Sequence, residues 1–180
     1  MSLLSSTRLH QLIEDGVIRG ADHSKVNATS IDLTVGSTFL TEAGLWGKMV
    51  SIGKRIPPTM VTEEVEEGCS FTLRSGCFCL AQSQQTFHLP NNISAEFKLK
   101  SSLARAGLNH LLAGWCDAGW NGSVLTLELL NVLKYHSIEI FPGDAIGQII
   151  FFEHEPVPTE DLYSTKGRYN GDTTVKGMKE

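Results

Sequence analysis

Glu128 stands inside an otherwise apolar stretch, Ser123-Val-Leu-Thr-Leu-Glu128-Leu-Leu-Asn-Val-Leu133. Taking a carboxylate out of water either costs a large free energy or drives its pKa upward, so a charged partner or a reaction must recover the loss. A carboxyl in a partly apolar pocket suits general base and general acid work; an ion pair with Arg or Lys across the core is the structural alternative. Upstream, Lys100-Ser101-Ser102-Leu103-Ala104-Arg105 follows a strand pattern and begins a short helical turn. There Ser101 or Ser102 can cap, free amides point outward, and Lys100 and Arg105 add charge, which together suit a phosphate. A serine cap beside surface cations is the plainer reading. Between these two stretches, Asp117-Ala-Gly-Trp-Asn-Gly122 reads as a tight hairpin turn, because Gly119, Asn121 and Gly122 tolerate positive φ. It also sets Asp117 directly ahead of the strand that bears Glu128.

The elements that must position these residues are mostly strands. Residues 5–16 read as one amphipathic helix with Leu9, Leu12 and Ile13 on one face and Gly16 as its stop. Thereafter the period falls to two: Ile31, Leu33 and Val35 alternate with Asp32 and Thr34, and Ala95, Phe97 and Leu99 alternate with Glu96, Lys98 and Lys100. Further strands are expected at 70–74, 77–82, 85–89, 123–133, 137–141 and 145–153, separated by turn-forming residues. Short strands at this spacing predict a mainly β fold, a barrel or jelly roll. The acidic, proline-marked residues 55–68 read as a solvated loop. After Pro158 the apolar pattern fades, leaving either a frayed tail or a lid that orders over a ligand.

Composition narrows the partners. A chain of 180 residues is one domain by size. A net charge of −5 gives no general attraction to nucleic acid or to an anionic membrane, so phosphate binding has to come from a local cluster of cations. The N-terminal residues lack a basic region followed by an apolar run, and nowhere are 18 apolar residues contiguous, which predicts a cytoplasmic protein. Cys69, Cys77, Cys79 and Cys116 form no Cys-x-x-Cys pair and are expected to be reduced structural thiols.

Taken together, Lys100-Ser-Ser-Leu-Ala-Arg-Ala-Gly-Leu108, Ala113-Gly-Trp-Cys-Asp-Ala-Gly-Trp-Asn-Gly122, Thr126-Leu-Glu-Leu-Leu-Asn131 and Pro142-Gly-Asp-Ala-Ile-Gly-Gln-Ile-Ile-Phe151 closely resemble the dCTP deaminase branch of the dUTPase superfamily. The likeness extends to Ala28–Gly36, to Phe87–Pro90 and to a tail with Tyr163 and Arg168-Tyr-Asn-Gly171. It implies a distorted jelly-roll or β-barrel of the dUTPase-like type with a short N-terminal helix. Residues 1–158 would form the domain and 159–180 a C-terminal lid over the active site. It further implies that Lys100 to Arg105 hold a triphosphate carrying Mg2+ across a subunit boundary of a homotrimer, with no side-chain metal ligands. Asp117 would contact the deoxyribose or a water near the phosphates. Glu128 would activate the water that attacks C4 of cytosine and pass its proton to the departing ammonia. Backbone atoms around Thr126 and Leu127 would read the base edge, Gln148 would line the site, and Tyr163, Arg168 and Asp172 would touch ligand from the tail.

The missing zinc signature agrees with this: a zinc deaminase needs His-x-Glu with Pro-Cys-x-x-Cys, so a deaminase on this chain must work without zinc. Lys100 stands where the family usually has Arg, keeping the charge without the bidentate fork, and Asp172 stands where its tail usually has Gln. The segment Ala113-Gly-Trp-Cys-Asp117 is more like bifunctional members, which release dUMP and pyrophosphate. Two other functions remain open from the sequence: a dUTP pyrophosphatase that relies on Asp117 without deamination, and a non-catalytic nucleotide sensor.

Overall fold

A computed structural model describes residues 2–44 and 47–179. In chain order the elements are β1 (Ser2–Leu3), α1 (Ser6–Glu14), β2 (Ile18–Arg19), β3 (Ile31–Glu42), β4 (Met60–Glu64), β5 (Phe71–Leu73), β6 (Phe78–His88) and β7 (Ile93–Leu99). They continue with α2 (Ser101–Arg105), β8 (Leu108–Asn109), β9 (Trp115–Cys116), β10 (Asn121–Asn131), β11 (Ile138–Ile140), β12 (Ala145–Glu153) and α3 (Tyr163–Lys166). The N-terminal helix buries Leu9 and Leu12, packs Ile13 against the core, and gives way at Gly16, whose φ of 72° suits a residue without Cβ. Period-two alternation places Ile31, Leu33 and Val35 fully inside on β3.

Ten strands form one sheet in the order β8-β10-β6-β3-β12-β7-β9, with β1 added to β12, β2 to β6 and β4 to β3; β5 and β11 make a separate ribbon. In this order β9 is one end and β10 is beside the other, yet only residues 117–120 connect them. So short a connection spans at most about 18 Å, so the sheet must curl until its two ends nearly meet. Phe39, Phe87, Phe97, Phe151, Leu33 and Leu127 fill the core. This is the mainly β, jelly-roll-like architecture that the strand spacing predicts.

Four sequence expectations need correction. The strands expected at 77–82 and 85–89 are one strand, β6; a register shift against β10 between Val124 and Thr126 absorbs the polar break, and Ser83 Oγ accepts from Leu125 N at 2.9 Å there. The supposed loop at 55–68 contains β4, an edge strand whose side chains are largely exposed. Its order comes from backbone pairing with β3, which side-chain polarity does not report. Residues 117–122 do not close a hairpin, since β9 pairs with β7 and β10 with β6. They form instead a turn closed by Trp120 N donating to Asp117 O at 3.2 Å, with Gly119 at φ 82°. Finally, neither Ser101 nor Ser102 caps α2: Lys100 holds the cap position, and no side-chain hydrogen bond is made there.

Candidate active site

A cavity of about 420 Å³ lies between β10 and β6, the loop that ends at Asp117, and the C-terminal segment. Glu128, Asp117, Thr126, Tyr163 and Asp172 all line it, so five of the residues singled out from the sequence converge on one space within a single chain. From Thr126 onward period-two geometry explains the β10 contribution: Thr126 and Glu128 line the cavity while Leu127 and Leu129 are buried in the core, and before the register shift Val124 and Leu125 both reach the cavity. Leu127 is 1 % exposed and belongs to the core, so only its backbone remains to meet a ligand.

Among the described residues Glu128 forms no ion pair, which removes the structural alternative left open by the sequence. Burial pushes its carboxyl above the ordinary glutamate range, and a hydrogen bond from the backbone offsets only part of that rise. Its cross-strand neighbour is Leu80. Asp117 is held differently: it is exposed, and Trp115 Nε1 donates to its Oδ1 at 2.8 Å. Cys116 between these carboxylates is buried, and burial first, then Asp117 and Glu128, push its thiol pKa up; it stays protonated. All four cysteines are free, with Cys79 also buried and raised to about 12.

The tail is neither frayed nor detached. Trp120 Nε1 donates to Tyr169 O at 2.8 Å, Val124 N to Asp172 O at 2.9 Å, and Val175 N to Gln82 Oε1 at 2.7 Å. Val175 is 3 % exposed and packs with Leu40 and Leu80, anchoring the segment that forms one cavity wall. Asp172 contributes a carboxylate to that wall and is paired with Lys179, whose Nζ lies 2.9 Å from Oδ1.

The cationic stretch lies elsewhere. Ser101, Ser102, Ala104 and Arg105 are exposed on α2, Leu103 is half-buried, and none of them lines the cavity. Lys100 pairs with Asp32 on β3, and Gln148, the register partner of Asp32, accepts from Ser30 Oγ at 3.3 Å. Lys100, Asp32 and Gln148 thus share a patch beside α2 and outside the Glu128 cavity. Arg168 is also exposed and outside it, with its carbonyl accepting from Lys179 Nζ at 2.6 Å.

Sequence reasoning missed the apolar lining, above all Met60, Phe78, Leu80 and Met178. A signal existed for two of them. Phe78, Leu80, Cys79 and Ala81 make β6 apolar on both faces, which means that something must cover the outer face as well. No group of three or more His, Cys, Asp or Glu side chains capable of holding a metal occurs among the described residues.

The sequence pattern of the dCTP deaminase-like family matches residues 3–154. A dUMP-forming dCTP deaminase of Methanoregula boonei is 37% identical over 161 residues, which is 85% of this chain and 83% of that protein. One of Thermobifida fusca is 36% identical over 177 residues, covering 94% and 88% respectively. The crystal structure of 2'-deoxycytidine 5'-triphosphate deaminase from Agrobacterium tumefaciens superposes with a TM-score of 0.65 at 22% identity, over 92% of this chain and 53% of that one. At that identity it bears on the fold alone, and this chain spans about half its length. The match over residues 3–154, joined to relatives 36–37% identical over most of both chains and to the curled β-sheet, makes this chain a member of the dCTP deaminase-like family.

Proposed function

We propose that this protein is a dCTP deaminase that converts a deoxycytidine nucleotide to the deoxyuridine nucleotide and ammonia, and carries dCTP through to dUMP and pyrophosphate. The observation that carries the reading is Glu128: a carboxyl with raised pKa, no ion-pair partner among the described residues, and a place in a cavity of nucleoside-compatible size. The names of the relatives, dUMP-forming dCTP deaminases, support the second step.

In this mechanism Glu128 accepts a proton from the water whose oxygen bonds to C4. The C4–N bond then breaks, and Glu128 returns the proton to the departing amino group. A raised pKa suits both halves, since the base must ionise near neutral pH and its conjugate acid must still donate. Backbone atoms at Thr126 and Leu127 read the base edge. Asp117, oriented by Trp115, contacts the deoxyribose or positions a second water near the phosphates. Residues 159–180 act as the lid, with Tyr163 and Asp172 on the ligand.

The phosphate end requires a second copy of the chain. Lys100 to Arg105, with Gln148 beside them, are absent from the lining of the Glu128 cavity, and Ser101, Ser102 and Arg105 lie open on the surface. A homotrimer would bring this patch of one protomer to the cavity of its neighbour, and Arg168 would join there. Magnesium fits such a site as a passenger on the phosphates, because it is commonly held by one or two carboxylates plus substrate oxygens and needs no protein cage. Asp117 and Asp172 are the cavity carboxylates that could meet it, and it would supply neutralisation of phosphate charge. No helix of the described residues is long and apolar enough to cross a membrane; a cytoplasmic location is part of the proposal.

Incubation of the purified protein with dCTP and Mg2+, followed by ammonia assay and nucleotide chromatography, tests the reading. Ammonia with dUMP and pyrophosphate is expected. Pyrophosphate from dUTP without ammonia from dCTP would replace it with a simple pyrophosphatase, and nucleotide binding without turnover would replace it with a sensor.

A further inference from the structure

Charge is segregated along the edge that β4 makes with β3. Between Glu42 and Glu63 the chain carries Lys48, Lys54 and Arg55 and no acidic residue; Glu63, Glu64, Glu66 and Glu67 then follow almost without a break. The cations lie on an arm, residues 43–59. Ala43 N donates to Thr59 O at 2.8 Å to close its base, and Ser51 and Ile56 exchange backbone hydrogen bonds of 3.0 and 2.9 Å near its tip. The glutamates lie on β4 and just beyond it. Register separates the two groups: Met60 pairs with Glu42 and Glu64 with Thr38, so β4 runs back along β3 and carries its glutamates away from the point where the arm departs. All seven charged side chains are exposed, and among the described residues none of them forms an ion pair.

Apolar surface sits among these charges. Met49 and Ile52 on the arm are 86 % and 85 % exposed, and Ile56 and Val61, on either side of the arm's return to the sheet, are about half exposed. β4 pairs with β3 alone, so its other edge keeps unpaired backbone groups. A strip that is basic at one end and acidic at the other, with apolar side chains between, is complementary to itself when turned by half a revolution. Turned so about Met60, the arm of one copy meets the glutamates of the other, the reverse pairing is made at the same time, and Ile56 and Val61 fall near the axis. Other anionic partners fit less well. The arm carries +3 in a chain of net −5, so the remainder stands at −8 and repels nucleic acid or an anionic membrane.

We propose that this strip is a docking surface for a second copy of the chain, arm on glutamates in both directions across a two-fold axis. The contact has an apolar centre and a charged rim, the usual anatomy of a specific interface. It uses none of the residues assigned to the phosphate end, so it is separate from the trimer contact. Pro58 and Met60 also line the Glu128 cavity, so the second copy backs one of its walls.

The test is the mass of the full-length protein by light scattering. The double variant Lys54→Glu with Arg55→Glu, and separately Glu63→Lys with Glu66→Lys, should each have half the mass of the wild type, because each sets like charges against each other. Mixing the two variants restores opposite charges at both contacts and should restore the wild-type mass. Salt at about 1 M, where the Debye length is about 3 Å, should shift the wild type toward the smaller species. The substituted positions are exposed, and a thermal melt of each variant checks that the fold is kept. The twofold ratio can be read whatever the smaller species is, so the result does not depend on the trimer or on deamination. A wild type with the mass of its variants would overturn the inference, as would a mixture that stays at half mass. Co-sedimentation of the wild type with phosphatidylglycerol vesicles, lost in Lys54→Glu with Arg55→Glu and accompanied by no difference in mass, would overturn it in favour of a lipid surface.

Discussion

Glu128 and Arg105 are both charged groups assigned to one substrate, and the chain treats them differently. Glu128 is enclosed by its own chain, with β6 beside it, the Cys116 loop and the C-terminal segment around it, and its pKa raised by burial. Arg105 sits exposed on the last turn of a helix of 5 residues, with the rest of that helix equally open apart from Leu103. The difference separates two ways of building half a site. Proton chemistry needs a dry, preorganised pocket, which a single fold can supply. Phosphate capture needs cations that remain solvated until the ligand arrives, and these can be brought by another copy.

That contrast is breakable, beginning with the largest effect. Glu128→Gln should lower deamination by about 10²–10⁴-fold with nucleotide affinity kept, because the shape survives and the proton acceptor does not. A variant that still releases ammonia at the wild-type rate would end the assignment. Arg105→Ala should cost about tenfold to a hundredfold in kcat/KM, the worth of a charge-assisted hydrogen bond to phosphate. Mixing and co-refolding the two variants then sharpens the comparison. A site shared between copies regains turnover above the sum of the separate proteins, whereas a site within one chain regains none.

A smaller effect concerns stability. A carboxyl whose pKa is higher folded than unfolded holds more protons when folded, so stability falls as pH rises from the ordinary glutamate value, about 4.3, through the raised one. Glu128→Gln should therefore melt higher than wild type at pH 7, by about 2–4 °C per kcal/mol relieved, and the gap should close below about pH 4. A gap that stays constant with pH would mean that the carboxyl is not strained by burial. The smallest effect is expected for Trp115→Phe, which removes the 2.8 Å hydrogen bond to Asp117 and should cost about fivefold in turnover. The acid limb of its pH profile should stay where the wild type has it, since Glu128 sets that limb.

Much of this was legible beforehand, and the failures share a cause. Alternation at Ile31–Val35 and at Ala95–Leu99 reports burial on one side, which is a property of successive residues. β4 was invisible because an edge strand is held by backbone pairing to β3, and its exposed glutamates look like those of a loop. Ser101 and Ser102 looked like caps because their residue types favour that position, yet Lys100 took it and turned its own side chain to Asp32. The residues of the tail left a frayed end and a lid both open, because its anchors, Gln82, Trp120 and Ser123, are far away in sequence.

The sequence by itself determined the mainly β class, the family, and the candidacy of Glu128, because each depends on residue type and local spacing. Only the tertiary structure decided that Glu128 has no ion-pair partner among the described residues. It alone showed that Asp117, Thr126, Tyr163 and Asp172 share its cavity while Lys100 to Arg105 do not, and that Met60, Phe78 and Leu80 line that cavity too. Those are facts about which distant segments meet across a curled sheet, and strand register and tail docking fix them through contacts that no local pattern encodes.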